Sequence, residues 1–241
     1  MKNIIITGAS KGIGYAIAKT LAADSPEVYN FGLCSRNINE IVADEAALGK
    51  DHPQHRYYSR ACDVTNADAV KEFVAGYEER FGAVDILVNN AGIGRFGSAA
   101  TMETSTFTSV IDINVRGVLL MTKAVLPRMI ERRSGTIITI SSLAGKAGFQ
   151  GGAAYCASKF AVRGLMNSLF LEVRSDNIRV VTLFPGTVDT PFFDVIGTPA
   201  IVRSGTALQA QDIADAVTTC IKLPSRATIS ELDIRPTNPV K

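Results

Sequence analysis

Ile4-Ile5-Ile6-Thr7-Gly8-Ala9-Ser10-Lys11-Gly12-Ile13-Gly14 is the stretch that decides the fold. Its first residues are apolar at every position, which is how a strand covered by helices on both faces reads. A glycine loop follows at once, and then a segment of helical period over residues 13–23. Strand, glycine loop and helix in that order open a parallel α/β sheet.

The rest of the chain repeats the alternation. Candidate strands span residues 3–7, 28–35, 55–62, 85–89, 135–141, 178–184 and 228–234. Helical patterns run over 13–23, 39–49, 67–81, 104–131, 153–174 and 210–223. The reading is one α/β domain over residues 1–241, with a doubly wound parallel sheet and helices on both faces. One segment breaks the pattern. Residues 187–209 carry prolines, glycines and the pair Phe192-Phe193 with little periodicity, as lids and binding loops do. A plain surface connection reads the same way.

Composition narrows the function classes. With 46% hydrophobic and 20% charged residues, the 241-residue chain can bury a sizeable core. A net charge of +2 gives no general case for nucleic acid or an anionic membrane. Cys34, Cys62, Cys156 and Cys220 form no CxxC pair, and His52 and His55 are the only histidines, so neither a zinc site nor a disulfide framework is expected. Buried free thiols fit a reducing compartment. No apolar run reaches the length of a membrane span, and a soluble, cytoplasmic protein is expected.

The glycine loop points to a nucleotide. In open α/β sheets ligands bind at the carboxyl ends of the strands, and glycines there let the backbone approach a pyrophosphate. Its charge is met by free N–H groups at the helix start. Gly8, Gly12 and Gly14 are spaced GxxxGxG, with Ser10, Lys11 and Ile13 between them. The second strand ends Cys34-Ser35-Arg36-Asn37 and has no acid to hold ribose hydroxyls. Arg36 can pair with a 2′-phosphate in bidentate fashion, with Lys11 and Ser35 assisting. That favours NADPH/NADP+ over NADH; the alternative is a pair of solvated surface cations. Asp63, beside Val64 at the end of the third strand, can accept from an adenine amino group or serve the start of the next helix. Asn89, Ala91 and Gly92 stand where the fourth strand meets the cofactor.

The catalytic candidates are Tyr155 and Lys159, at i and i+4 on one helix face. A cation beside a phenol favours the phenolate, so Lys159 is expected to lower the Tyr155 pKa and fit it for proton transfer. Strand five ends in Ser141-Ser142, which brings a hydroxyl toward the same point.

Taken together, Thr7-Gly8-xxx-Gly12-x-Gly14, Asn89-Asn90-Ala91-Gly92, Asn114, Ser142, Tyr155-xxx-Lys159 and Pro185-Gly186 resemble the short-chain dehydrogenase/reductase family. The resemblance implies a seven-stranded Rossmann sheet of order 3-2-1-4-5-6-7 and a homodimer or homotetramer. It implies Tyr155 as general acid, Lys159 tuning it and holding the nicotinamide ribose, and Ser142 polarising the carbonyl. Asn114 would hold a water that links Lys159 to a proton relay. Pro185, Gly186, Val188 and Thr190 would line the nicotinamide side.

Within the family, residues 91–97, 155–160 and 234–237 resemble the bacterial-type sepiapterin reductases. A flat pterin needs an apolar slot and an acceptor. Phe96, Phe149, Phe192 and Phe193 are candidates for the slot, and Asp189 or Asp194 for the acceptor; all of them also read as core or lid packing. The rival substrate is a 3-oxoacyl thioester on an acidic carrier protein, for which Arg128, Arg132 and Arg133 would form the basic patch. Outside the enzymes stand an NADPH-binding sensor and a structural interaction module, the second of which leaves the glycine loop unexplained.

Overall fold

The apolar runs become the interior strands of one parallel sheet. The computed structural model describes residues 1–24, 26–193 and 206–238. Its strands are β1 (Lys2–Thr7), β2 (Tyr29–Ser35), β3 (Arg56–Ala61), β4 (Ile86–Asn89), β5 (Gly135–Ile140) and β6 (Ile178–Pro185). After them come β7 (Val188–Asp189), β8 (Leu208–Gln209) and β9 (Glu231–Ile234). Seven strands pair in the order β3-β2-β1-β4-β5-β6-β9, so β9 takes the place expected of a seventh strand. Every pairing in that sheet is parallel.

The helices are α1 (Gly12–Asp24), α2 (Ile38–Asp51), α3 (Ala67–Phe81), α4 (Thr104–Ile111), α5 (Gly117–Arg132), α6 (Ala153–Val173) and α7 (Ala210–Lys222). Strand side chains alternate between the two faces. Ile4, Ile6, Val88 and Ile138 join Ile17 and Leu21 of α1 and Ile213 and Val217 of α7. Ile5, Leu87 and Ile137 join Phe73 of α3, Val125 of α5 and Met166 of α6 on the other face. Because both faces are covered, the few polar side chains in these strands, such as Thr7, Asn89 and Thr139, are buried too. Each isoleucine of β1 is fully buried, which stabilises the fold by roughly 1.5–3 kcal/mol apiece.

Local signals set the ends. Asp68 and Ala69 N–H donate to the Asn66 side-chain oxygen at the start of α3, and Gly82 ends that helix at φ 84°. The cap is Asn66, so Asp63 is not the capping acid.

Two features depart from the expected outline. The helix expected over 104–131 is broken by a π turn, Asp112–Arg116, where Gly117 N–H donates to Asp112 O five residues back. The widened turn brings Gly117 against Val64, where a Cβ would lie 2.7 Å from Val64 Cγ2. The irregular 187–209 segment is tied at its base: Val188 pairs with Leu208, and Leu208 N–H donates to Thr187 O over 2.9 Å. Residues 194–205, Asp194 among them, lie outside the described residues. Among the described residues no helix is long and apolar enough to cross a membrane.

Candidate active site

The carboxyl ends of β1 to β6 open onto one cavity of about 1160 Å³. That exceeds the roughly 300–1,000 Å³ of a drug-sized pocket. Gly8 at φ 63° and Gly12 at φ 58° turn the phosphate loop in the left-handed region. A Cβ at Gly8 would meet Ala91 Cα at 2.9 Å. The first turn of α1 carries no acid, which leaves its free N–H groups open to an anion.

Gly14 does a different job from the one its motif suggests. It is not on the cavity wall, and a Cβ there would strike the Gly8 carbonyl. Asn90 laces the two glycine motifs together: its amide donates to Thr7 O and Gly8 O, each at 3.0 Å. Thr7 Oγ1 in turn accepts from Asn90 N–H and Ala91 N–H, each at 3.0 Å. Sequence reasoning placed Asn89 at the cofactor. Instead the Asn89 side chain is buried and donates to Thr122 Oγ1 on α5 at 3.2 Å, while Asn90 forms the wall. Adjacent strand residues face opposite ways, and the expected phase was off by one.

Ser10, Lys11, Gly12 and Ile13 line the loop end of the cavity, and Ser35, Arg36, Asp63 and Val64 its outer end. Ser35 Oγ donates to Asn37 O at 2.9 Å. Arg36 makes no side-chain hydrogen bond or ion pair among the described residues. Lys11 Nζ lies 3.9 Å from Glu40 of α2, a residue the sequence reading overlooked. Asp63 Oδ1 accepts from the Thr65 N–H at 2.9 Å and hydroxyl at 2.8 Å, which leaves Oδ2 for an outside donor. Glycine cradle, helix start and free guanidinium fit a dinucleotide with a 2′-phosphate.

At the other end α6 presents Tyr155 and Lys159, 9% and 7% exposed. Lys159 Nζ donates to Ile140 O at 3.1 Å and lies 5.6 Å from the centre of the Tyr155 ring. Burial lowers the Lys159 ammonium to about 8. Burial also pushes the Tyr155 phenol up to about 12, with the Ser142 hydroxyl working the other way. The expected lowering by Lys159 is not among the causes: removing a phenolate from water costs more than the Ser142 hydroxyl returns. Ser142 Oγ caps the short turn Leu143–Gly145, accepting Ala144 N–H at 3.2 Å, and faces Pro185 O at 3.5 Å.

Asn114 sits behind this wall rather than on it. Its Oδ1 accepts Ile93 N–H at 2.8 Å, and both amide hydrogens are used, on Ile93 O at 2.9 Å and Ser158 Oγ at 2.9 Å. Ala91, Gly92, Pro185, Gly186, Val188 and Thr190 all line the cavity.

Aromatic rings enclose the phenol. Phe96 lies 5.5 Å from Tyr155 and 5.2 Å from Phe149, centre to centre. Phe192 lies 5.9 Å from Tyr155 and 5.4 Å from Phe193. The four expected phenylalanines do converge, but Asp189 is exposed and off the cavity wall. The three arginines expected as a basic patch are each paired: Arg128 with Glu78 at 3.2 Å, Arg132 with Asp85 at 3.0 Å and Arg133 with Asp176 at 3.1 Å.

Comparison with known proteins gives the same answer by another route. Residues 2–199 match the short chain dehydrogenase family. A sepiapterin reductase of Chlorobaculum tepidum is 33% identical, covering 99% of this chain and 98% of that one. A 3-oxoacyl-[acyl-carrier-protein] reductase of Thermotoga maritima is 35% identical over 79% of this chain and 75% of its own. An alcohol dehydrogenase from the archaeon Thermococcus sibiricus, solved with 5-hydroxy-NADP, superposes with a TM-score of 0.90 at 32% identity, covering 100% of both chains. The chain belongs to the short-chain dehydrogenase/reductase family and is an NADP-dependent oxidoreductase.

Proposed function

We propose that the protein reduces the carbonyl of a small-molecule ketone, with Tyr155 as proton donor. The observation that carries this reading is the meeting, in one cavity, of the glycine cradle and the buried Tyr155–Lys159 pair. When bound, NADPH supplies hydride to the carbonyl carbon. Gly8, Gly12 and the start of α1 hold its pyrophosphate, and Arg36, Ser35 and Lys11 its 2′-phosphate. Ser142 donates a hydrogen bond to the carbonyl oxygen, and Tyr155 delivers its proton to the alkoxide that develops there. Lys159 keeps positive charge beside the phenol as the proton leaves. Phe96 and Phe192 exclude water from the reacting bond. Asn114 acts from behind the site, positioning α6 and the loop at Ile93; a relay water has only its remaining lone pair or the main chain to bind.

Among ketones, a pterin side-chain ketone fits the aromatic slot and the sequence resemblance. A carrier-protein thioester is less well served, since Arg128, Arg132 and Arg133 already hold acids. Buried free thiols suit a reducing, cytoplasmic setting. Phe107, Leu119, Phe160 and Leu171 expose apolar surface on α4, α5 and α6, which suits packing against a second copy in a dimer or tetramer.

The test is NADPH oxidation with sepiapterin, an acetoacetyl thioester and simple diketones side by side. Tyr155→Phe should lose at least ~10²-fold in turnover while NADPH affinity stays within a few-fold. Retained turnover in that variant removes Tyr155 from its role. Tight NADPH binding without reduction of any carbonyl points to a sensor.

A further inference from the structure

Charge on the cavity wall is distributed unevenly. Among the described residues, its two carboxylates, Glu40 and Asp63, both lie at the adenosine end. The charged side chains on the wall near Tyr155 are Lys159, Arg95 and Arg235, all cations.

Arg235 lies 3.3 Å from Asp233, but Lys146 already holds that carboxylate at 2.6 Å. Arg95 is freer. It makes no ion pair among the described residues, and its guanidinium donates only from Nη1 to Gly94 O at 2.9 Å. The rest of the donor fork is open to the cavity mouth. Arg95 directly precedes Phe96, whose ring packs on Tyr155, so it stands at the rim of the wall that covers the phenol. An open guanidinium beside aromatic rings, with no acid among the described residues of the wall around it, selects an anion.

We propose that Arg95 binds an anionic group on the substrate, so that the preferred ketone is an oxo acid with its carboxylate a few bonds from the reacting carbonyl. This rests on the reductase reading and narrows it. It also departs from the pterin, for whose ring donors no carboxylate stands on the described wall at this end. Arg95 is a specificity residue here, and the proton still comes from Tyr155.

The experiment compares acetoacetate with methyl acetoacetate, which differ in that charge and one methyl group, in the wild type, Arg95→Gln and Arg95→Lys. The wild type should favour the acid by at least about tenfold in kcat/KM, through KM. Arg95→Gln should bring the acid-to-ester ratio close to one, and Arg95→Lys should keep part of it. Equal use of acid and ester by the wild type, or an unchanged ratio in Arg95→Gln, overturns the proposal. So does sepiapterin or a 3-oxoacyl carrier protein outpacing acetoacetate tenfold. If no ketone is reduced, the reductase reading fails, and Arg95 is then read by titrating acetoacetate calorimetrically into the NADP+-loaded protein. A tenfold weaker fit in Arg95→Gln supports the anion site, and equal affinity removes it.

Discussion

Asn114 donates to Ser158 across 2.9 Å, and the same Ser158 hydroxyl donates to the Tyr155 carbonyl across 2.7 Å. The π turn is thereby joined to the helix that carries the phenol. Ser158 is fully buried, so Ser158→Ala leaves one amide hydrogen of Asn114 unmet. The cost should be about 1–3 kcal/mol in urea unfolding. If the contact positions Tyr155, kcat should fall severalfold while KM for the ketone holds; a stability loss with kcat unchanged would make the link purely structural.

Cofactor choice should turn on Arg36. Removing a charge-assisted partner costs about 1.5–3 kcal/mol, so Arg36→Ala should weaken NADPH by roughly 10- to 100-fold and leave NADH nearly unaffected. Glu40→Gln should act the other way. It frees Lys11 from a 3.9 Å pair and removes a like charge from beside the 2′-phosphate. The gain is only a few-fold, since both partners are exposed. Fluorescence titration with the two cofactors checks both variants.

Stability should depend on pH through Lys159. Its folded value of about 8 lies below the ordinary ~10.4. Between those values the unfolded chain binds a proton that the folded one does not, so stability rises with pH across that window. Below pH 8 both states are protonated, and the cost of the buried ammonium, on the order of 3 kcal/mol, is present in full. Lys159→Met should therefore be more stable than the wild type by most at pH 7, with the gap closing toward pH 10. Urea melts of both proteins at three pH values read this directly, and a constant gap would remove Lys159 as its source.

The apolar stripe on α6 should decide assembly. Phe160 and Leu171 are 46% and 62% exposed, and eleven residues at 100° each bring them onto one helix face. Gly164 lies between them with open space where its Cβ would be. Phe160→Arg should yield monomers in light scattering, with the far-UV spectrum intact. Unchanged oligomers would place the interface elsewhere.

The strands were legible because β1 and β4 carry unbroken apolar runs, Ile4–Ile6 and Ile86–Val88, and β5 a nearly unbroken one, and the phosphate loop because its glycines sit between a strand and a helix. Tyr155 and Lys159 could be paired because a single helix sets their distance. The rest depended on contacts between distant segments. Strand periodicity places Asn89 and Asn90 on opposite faces but does not say which face meets the cavity. The Tyr155 environment depends on Phe96 and Phe192, brought in from two separate loops. Glu40 and Arg95 read as ordinary surface charges until the fold sets one beside Lys11 and the other at the rim of the aromatic wall. The π turn was invisible for another reason: a widened turn keeps the apolar composition of the helix around it.

That turn works as a phase shifter. Each residue advances a helix by about 100°, so winding the same residues evenly as α-helix through Asp112–Arg116 would rotate α5 relative to α4 by about that angle. Val118, Met121, Val125 and Met129, now buried against the sheet, would swing away from it. Asn114 would leave Ile93 and Ser158 at the same time. The hitch therefore sets two alignments at once, one for the core and one for the site, and a sequence redesigned for the smoothest helix would lose both.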